Sequence, residues 1–312
     1  QKGRYDFHIF DRLLSQMEGQ GVRVLFILDY GNPLYGGKAV RTDEARAAFS
    51  RFAAAAAARY KGRSVGWEIW NEPNQEQFWP PRPDVYEYMK LVIDTATAMR
   101  AANPDAYIIA PGSARIDFSF LEDCIRLGLL KYVNAVSVHP YRDASPETAL
   151  ADYARLKVLI QKMQPSERQV SLVVSEWGYS AAAFGGDEQA QARYLSRMLL
   201  ANVYAGIDFT VWYDYRNDGT DGRNYEHNFG WVRQDGTGKP ALEAAQVLAR
   251  QLGGRRFSRR LFSLTEDFAL EFVDAKNNSC VVAWTTGDPH EAHIENYGLV
   301  SLTQTPQYLK CR

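Results

Sequence analysis

The feature that most constrains this fold is a strict alternation of short apolar runs with longer helical patterns. The first run, Val22 to Leu28, has the sequence VRVLFIL, which is typical of a buried strand in a parallel sheet. A helical spacing of apolar residues follows each run. The six predicted strands cover residues 22–28, 65–72, 107–110, 133–138, 170–175 and 207–212. Strands that alternate with helices in this way predict a parallel sheet covered by helices.

Polar residues collect where these predicted strands end, at Asp29, Asn71, Glu72, His139, Glu176 and Asp214. No strand is followed by a glycine-rich GxGxxG or GxxxxGK turn, which disfavours a nucleotide-binding doubly wound sheet. In a (β/α)8 barrel the carboxyl ends of the strands form the active face. The sequence therefore predicts an α/β fold of the TIM-type (β/α)8 barrel class, in which the first two strands are not evident.

The sequence changes character after Gly253-Gly254, where short strand patterns replace the alternation of strands and helices. These patterns cover residues 261–264, 268–273, 279–285 and 293–302. We predict a catalytic (β/α) barrel over residues 1–252 and a small C-terminal β-strand module over residues 253–312. Four arginines lie between these parts and are predicted to be a solvated linker, namely Arg255, Arg256, Arg259 and Arg260.

Composition excludes several classes of function. The formal net charge is -1, so no strong field attracts nucleic acid or an anionic membrane. No apolar run reaches the length of a membrane span. The chain has 7 Trp and 18 Tyr, and aromatic surfaces of this kind often bind sugars by stacking. We therefore expect no nucleic-acid partner and no membrane span.

The termini and the cysteines bear on location and on metal content. The chain begins with QKG, without an initiating methionine or a signal peptide, so we expect a mature or trimmed product that is secreted or periplasmic. The cysteines are Cys124, Cys280 and Cys311, and none of them forms a CxxC pair. We expect no metal and no cofactor. Cys124 is predicted to be a buried thiol, whereas Cys280 and Cys311 could form a disulfide bond.

Two predicted strands end on a glutamate. The first lies in the sequence GWEIWNEPN of residues 66–74, where Pro73 cannot donate to a sheet and therefore ends strand pairing beside Glu72. The second lies in LVVSEWG of residues 172–178, where Glu176 follows an apolar run. Parallel strands present their carboxyl ends on one side, so the two carboxylates are predicted to form one site. Glycoside hydrolysis uses such a pair, with one carboxyl as proton donor and the other as nucleophile or base.

The first of these strands raises two further expectations. Strict alternation would send Asn71 and Glu72 to opposite faces, so we expect a bulge or a twist at the strand end. Glu68 lies within an apolar run, and a buried carboxylate must be paired or protonated. We therefore expect an internal salt bridge at Glu68. Trp67 and Trp70 are expected to be core residues.

Two sequence motifs resemble those of a known group of enzymes. Residues 70–74, WNEPN, and residues 175–178, SEWG, are similar to the acid/base and nucleophile motifs of the clan A glycoside hydrolases. The chain most resembles family 39-like members, which include endoglycosidases that act on bacterial exopolysaccharides. The likeness extends over Tyr5 to Leu252 and includes the sequence HPY at residues 139–141. It implies a (β/α)8 barrel and glycosidase activity.

The resemblance also implies a role for each matching residue of the reacting centre. Glu72 would be the general acid/base, and Glu176 would be the nucleophile. Asn71 would donate or accept a hydrogen bond at the 2-hydroxyl of the sugar, a contact that tightens in the transition state. His139 and Tyr141 would position Glu176 or hydrogen-bond to it.

Further residues would bind the substrate around this centre. Trp212 would form the floor under the sugar at the cleavage point, and Trp79 and Trp177 would be stacking platforms. The same mouth would be lined by Asp29, Tyr30 and Asn32. The implied partner is a carbohydrate, either a polysaccharide or an oligosaccharide.

Three functions remain open from the sequence. The leading one is a retaining glycoside hydrolase that cleaves O-glycosidic bonds by a two-glutamate double displacement. The alternative is a non-catalytic carbohydrate-binding barrel that lacks activity because its N-terminal strands are missing. A third hypothesis is a metal-dependent hydrolase on the same fold, which the scattered positions of the five histidines disfavour. The identity of the sugar and the choice between endo and exo action stay open.

Overall fold

A computed structural model gives the structure of this chain and describes residues 1–37, 39–262 and 266–309. The chain forms two compact units. The first contains residues 1–140 and 154–175, and the second contains residues 141–153 and 176–312. Helix α5 (Ala149–Met163) and strand β5 (Ser171–Trp177) each pass from one unit into the other. The predicted boundary between residues 252 and 253 coincides with neither limit of these units and stays a prediction.

The first unit carries a parallel sheet whose strands β1 to β5 lie side by side in chain order. Leu28 is paired with Ile69, and Val136 is paired with Leu172. The elements before α5 are α1 (His8–Gly19), β1 (Val24–Leu28), α2 (Asp43–Arg59), β2 (Val65–Ile69), α3 (Val85–Ala102), β3 (Tyr107–Ala114), α4 (Phe118–Arg126) and β4 (Ala135–His139).

Local sequence explains where the helices of this unit begin. The Oγ1 atom of Thr42 accepts a hydrogen bond from the amide of Ala45 at 3.1 Å, which caps α2. Asp84 caps α3 in the same way, by accepting from the amide of Glu87 at 3.0 Å. Between the helices, all five residues of β4 are buried, as expected for a parallel strand covered on both faces.

Strand β6 (Thr210–Trp212) belongs to the second unit, where it lies in the chain between α6 (Glu188–Tyr204) and α7 (Pro240–Leu252), and it is the last strand in the sheet order β1-β2-β3-β4-β5-β6. The amide of Tyr213 donates to the carbonyl of Trp177 at 3.1 Å. A Cβ atom on Gly178 would lie 1.9 Å from the carbonyl oxygen of Tyr213, so only glycine fits this close approach. The structure therefore has six parallel strands with helices between them, which confirms the predicted α/β class and matches part of a (β/α)8 barrel.

The C-terminal residues of the second unit form short strands, as predicted, and these strands pair antiparallel. Two sheets are present, one with the order β12-β9-β8-β7 and one that pairs β10 with β11. Their strands are β7 (Arg256–Arg260), β8 (Asp267–Val273), β9 (Ser279–Thr285), β10 (His290–Ile294), β11 (Gly298–Leu302) and β12 (Gln307–Leu309).

Two predictions for this region were wrong in detail. The arginine-rich residues 256–260 are strand β7 and not a linker, because they pair with β8. The single run predicted at 293–302 contains the end of β10 and all of β11, separated by a turn. The strand predicted at 261–264 lies partly outside the described residues, and so does Cys311, the predicted partner of Cys280. Cys124 is buried and free, as predicted.

A buried ion pair lies in the second unit. The Nε and Nη2 atoms of Arg197 donate to the two carboxylate oxygens of Glu147, each at 2.7 Å. The indole nitrogen of Trp284 donates to the same carboxylate at 2.8 Å. Arg197 is 1% exposed and Glu147 is 9% exposed. The paired geometry satisfies both charges without water, which a buried ion pair requires.

Among the described residues, the helices are too short or too polar for any of them to cross a membrane.

Candidate active site

Strand β2 ends at Ile69, and the backbone then turns sharply. Trp70 has φ 72° and Glu72 has φ 46°, a left-handed conformation that costs about 1–3 kcal/mol for a residue with a side chain. Two backbone hydrogen bonds hold this turn. The amide of Trp70 donates to the carbonyl of Leu28 at 3.0 Å, and the amide of Glu72 donates to that of Gly112 at 3.0 Å. This turn is the strand-end twist that the sequence predicted.

Aromatic side chains hold the turn from the protein interior. The hydroxyl of Tyr88 donates to the carbonyl of Ile69 at 2.8 Å. The indole nitrogen of Trp70 donates to the carbonyl of Phe78 at 3.1 Å. Trp67 and Trp70 are 3% and 0% exposed, so both are core residues as predicted. The carboxylate of Glu72 is therefore presented from a rigid support.

The side chain of Glu72 contacts a buried histidine. Its Oε1 atom lies 3.0 Å from Nδ1 of His139, and the Glu72 side chain is 15% exposed while that of His139 is not exposed at all. The other ring nitrogen of His139, Nε2, lies 3.1 Å from Oγ of Ser175. His139 was predicted to position Glu176 or to hydrogen-bond to it, which stays a prediction, and the structure places its ring against Glu72.

Glu68 extends this set of contacts into the core. Its side chain is fully buried, and its Oε1 atom accepts a hydrogen bond from the hydroxyl of Ser175 at 2.7 Å. Burial raises the pKa of the Glu68 carboxyl, while His139 and the hydroxyls of Ser137 and Ser175 oppose that rise. No lysine or arginine among the described residues pairs with Glu68, so the predicted internal salt bridge was wrong.

The residues after β1 lie beside Asn71. The side-chain Nδ2 atom of Asn71 lies 3.5 Å from the hydroxyl oxygen of Tyr30, and Asn71 is 9% exposed. Burial raises the pKa of Asp29 to about 6, with a smaller contribution from the charge of Glu68. A hydrogen bond from Tyr30 lowers it in part.

A cavity of about 430 Å³ in the first unit is lined by Asp29, Tyr30 and Asn32. Its other walls include Tyr5, Tyr35 and Phe49. Asn32 is exposed, and its Oδ1 atom also accepts a hydrogen bond from the amide of Leu34 at 3.0 Å. Within this unit the predicted mouth residues therefore share one concave surface.

In the second unit, Glu176 is the penultimate residue of β5 and is partly exposed. The hydroxyl of Tyr141 donates to Oε1 of Glu176 at 2.9 Å. The ring of Tyr141 meets the ring of Phe229 edge-on, with 6.1 Å between the centroids. The predicted contact between Tyr141 and Glu176 is therefore present.

Trp212 is partly exposed at the end of β6, and its indole nitrogen donates to the carbonyl of Phe229 at 3.1 Å. The structure contradicts the platform role predicted for Trp177 and Trp79, because both are 0% exposed. In the first unit, Trp79 packs against Trp70 and Tyr88, with ring centroids 5.1 and 5.7 Å apart. A ring enclosed in this way has no face left for a sugar.

Asp214 and Lys239 are two further titratable groups of the second unit. Burial raises the pKa of Asp214 to about 6, and the charge of Asp218 adds to this rise. Burial lowers the pKa of Lys239 to about 8, and its ammonium donates to the carbonyl of Asn228 at 3.0 Å. Lys239 was not singled out from the sequence, because a lysine before a helix is usually solvated.

Comparison with known proteins defines the family. The model of the cellulase family, glycosyl hydrolase family 5, matches residues 3–218, which is more than half of the chain. This chain belongs to the cellulase family. It is therefore a glycoside hydrolase, its substrate is a carbohydrate, and the predicted membership of clan A is confirmed. Among curated proteins, no sequence matches that of this glycoside hydrolase.

Solved structures show a similar fold for this glycoside hydrolase. A family 39 glycoside hydrolase from Bacteroides cellulosilyticus WH2 is 24% identical with a TM-score of 0.87, and the match covers 100% of this chain and 72% of that one. A family 39 β-xylosidase from Caulobacter crescentus is 19% identical with a TM-score of 0.64, covering 93% and 68%. A family 5 enzyme from Streptomyces cattleya is 16% identical with a TM-score of 0.60, covering 80% and 68%.

Sequence reasoning missed the serines of this glycoside hydrolase that lie around His139. Ser137 precedes His139 by two residues on β4, and Ser175 directly precedes Glu176 on β5. Residues two apart on a strand share a face, so the position of Ser137 could have been anticipated. The contact between Ser175 and Glu68 could not, because it depends on how β2 and β5 are placed by the sheet.

Proposed function

We propose that this chain is a retaining glycoside hydrolase that cleaves O-glycosidic bonds of a polysaccharide or oligosaccharide by double displacement. Glu72 is the general acid/base and Glu176 is the nucleophile. One observation carries the proposal, namely that each strand-end glutamate is held by a hydrogen-bonding side chain. Nδ1 of His139 lies 3.0 Å from Oε1 of Glu72, and the Tyr141 hydroxyl lies 2.9 Å from Oε1 of Glu176.

The proposed mechanism has two steps, in which these two glutamates act in turn. In the first step Glu176 attacks the anomeric carbon, and the proton of Glu72 passes to the departing glycosidic oxygen. In the second step Glu72, now a carboxylate, takes a proton from water, and the water oxygen displaces Glu176 from the sugar. The Tyr141 hydroxyl orients Glu176 for attack. Asn71 binds the 2-hydroxyl of the sugar, and Trp212 lies beneath the sugar ring.

The architecture supports a finer proposal about the fold. We propose that the six parallel strands correspond to the third to eighth strands of a (β/α)8 barrel, which makes β2 the fourth strand and β5 the seventh. The likeness to family 39 and family 5 structures supports this correspondence. The cellulase family and the β-xylosidase relative suggest β-linked glucans and xylans as the first substrates to test. We also propose a secreted or periplasmic location, where such polymers are found.

The proposal is tested with a panel of β-glucans, xylans and aryl β-glycosides, on which reducing ends and released phenol are measured. Glu176→Gln is expected to lower kcat by at least about 10³-fold, because it removes the nucleophile. Glu72→Ala is expected to lose most activity and to form a glycosyl azide of retained configuration when azide is added.

The control is Glu243→Gln, which changes an exposed glutamate on α7 of the second unit and is expected to keep wild-type rates. The anomer released first is identified by proton NMR. An inverted first product would exclude double displacement, and binding of glycan without turnover by the wild type would support a carbohydrate-binding barrel. Loss of activity in EDTA would favour a metal-dependent hydrolase.

A further inference from the structure

We propose that Glu68 is a positioning residue for the acid/base Glu72, and that it acts through Ser175 and His139. This inference rests on the proposed function of Glu72. Glu68 itself is fully buried and does not touch substrate, so it is not a catalytic residue. It sets the direction of a chain of hydrogen bonds that ends on the carboxyl group of Glu72.

The chain of contacts is continuous. The Ser175 hydroxyl donates to Oε1 of Glu68 at 2.7 Å. Oγ of Ser175 lies 3.1 Å from Nε2 of His139, and Nδ1 of His139 lies 3.0 Å from Oε1 of Glu72. The four side chains come from β2, from the turn after it, from β4 and from β5. All distances fall within the range of ordinary hydrogen bonds.

The number of protons fixes the direction of this chain. A serine hydroxyl has a single proton, so Ser175 can donate to only one partner. When it donates to Glu68, its oxygen can only accept from His139, which requires the proton of His139 to be on Nε2. In neutral His139 the Nδ1 atom then carries a lone pair, and it accepts a hydrogen bond from the protonated carboxyl of Glu72. Glu68 thereby favours the form of Glu72 that a general acid needs.

The space around Glu68 is restricted in keeping with this role. Gly112 has φ 59°, and a Cβ atom there would lie 2.9 Å from Oε1 of Glu68 and 3.3 Å from Nε2 of His139. Because glycine has no side chain, position 112 leaves room for the side chains of Glu68 and His139. Within the part of the chain that the structure describes, the titratable groups that interact with Glu68 are Asp29, Glu72, Tyr88 and His139, and no arginine or lysine is among them.

Removing the acceptor carboxylate of Glu68 is expected to reverse the donor and acceptor roles along these hydrogen bonds. In Glu68→Met the hydroxyl of Ser175 becomes able to donate to Nε2 of His139, and neutral His139 then carries its proton on Nδ1. A donor at Nδ1 favours the carboxylate form of Glu72 over its protonated form. The basic limb of the kcat/KM profile should then move down by about one pH unit, since that limb reports the loss of the acid's proton.

The experiment compares Glu68→Met, Glu68→Gln and Ser175→Ala on two substrates, one with a poor alkyl leaving group and one with a dinitrophenyl leaving group. Only the poor leaving group needs protonation. We expect Glu68→Met and Ser175→Ala to lose about 10-fold in kcat/KM on it, and less than about 3-fold on the dinitrophenyl glycoside. Glu68→Gln retains an acceptor oxygen and should stay close to wild type in both respects.

The control is Thr95→Val, which removes a buried hydroxyl that lies 3.3 Å from that of Ser50 and is not part of the chain of contacts. It should leave the pH profile unchanged. Nitrogen-15 NMR of histidine gives a readout that is independent of turnover, with His139 assigned by comparison with His139→Gln. Neutral His139 should carry its proton on Nε2 in the wild type and on Nδ1 in Glu68→Met.

Equal losses on both substrates, an unshifted pH profile in Glu68→Met, or a proton on Nδ1 in the wild type would overturn the inference. Failure of the proposed function is recognised separately, because Glu72→Ala would then show no rescue by azide. If azide rescues Glu72→Ala while Glu68→Met keeps the wild-type profile, the inference about Glu68 fails and the assignment of Glu72 stands.

Discussion

Two buried glutamates, one in each unit, differ in the partners that offset the cost of burying a carboxylate. Glu147 of the second unit is bound at both oxygens by Arg197 and at one of them also by Trp284. Glu68 of the first unit has no lysine or arginine partner among the described residues, and its carboxylate accepts a hydrogen bond from the hydroxyl of Ser175. A carboxylate with a permanent cation keeps its charge, whereas one without a cation shifts its pKa upward and can change its proton content.

The difference separates a structural carboxylate from a functional one. Arginine does not lose its proton at accessible pH, so Arg197 on α6 stays charged and remains a permanent partner for Glu147. The hydrogen bonds that begin at Glu68 lead instead through Ser175 and His139 to Glu72, and none of these four side chains is a permanent cation. Burial alone therefore does not mark a functional carboxylate, but burial with hydroxyl and imidazole partners does.

Removing the cation of Glu147 should have the largest effect on stability. Arg197→Met leaves an unpaired charge in the core, and we expect the free energy of unfolding to fall by about 3–5 kcal/mol. The measurement is urea denaturation followed by tryptophan fluorescence. The matched control is Arg193→Met on the same helix, where a more exposed pair with Asp187 at 3.6 Å should contribute less than about 1 kcal/mol. Similar losses in the two variants would show that burial does not make the pair of Arg197 and Glu147 stronger than the exposed pair.

The indole of Trp284 also donates a hydrogen bond to Glu147, and it is expected to stabilise the fold less than Arg197 does. Trp284→Phe removes its hydrogen bond to Glu147, and we expect a loss of about 2 kcal/mol, because hydrogen bonds to charged groups are the stronger ones. Denaturation of the single variants and of the double variant with Arg197→Met forms a thermodynamic cycle. If the loss in the double variant equals the sum of the two single losses, the indole and the guanidinium act independently and do not form a shared network.

The smallest effect concerns Asp29, a second carboxyl of the first unit for which the described residues supply no ion pair. Burial raises its folded pKa to about 6, above the usual value near 4 in the unfolded chain. The folded state therefore holds the proton longer, and stability should fall as the pH rises from about 4 through 6 and then level off. Relative to Asp29→Asn the wild type should lose about 1 kcal/mol over this window, a value reduced for solvent screening.

The opposite slope is expected at Asp11, where a hydrogen bond from Arg59 lowers the pKa of the carboxyl. Its stabilising contribution should disappear as the pH falls through the folded pKa, and Asp11→Asn should remove that dependence. The two variants are compared by thermal denaturation between pH 3 and pH 8. A wild type that gains stability from pH 4 to 6 relative to Asp29→Asn would contradict the assignment at Asp29.

Much of the site could be predicted because its signals are local. The apolar run before Glu176 lies in β5, and the one before Glu72 lies in β2, which ends at Ile69 and not beside Pro73 as predicted. The core positions of Trp67 and Trp70 follow from the same run. In contrast, the resemblance implied that Trp79 and Trp177 are stacking platforms, whereas both side chains are buried in the folded chain.

The sequence by itself determined the order of strands and helices, and it determined which strands end on a carboxylate, since periodicity and chain-breaking residues act over a few positions. Only the tertiary structure decided the partners of those carboxylates. Ser175 lies 107 residues from Glu68, and Arg197 lies 50 residues from Glu147. Such contacts depend on strand register and helix placement. The sequence predicted a twist at the end of β2, but the left-handed conformation of Trp70 and Glu72 depends on distant carbonyls, because Leu28 and Gly112 accept hydrogen bonds from their amides.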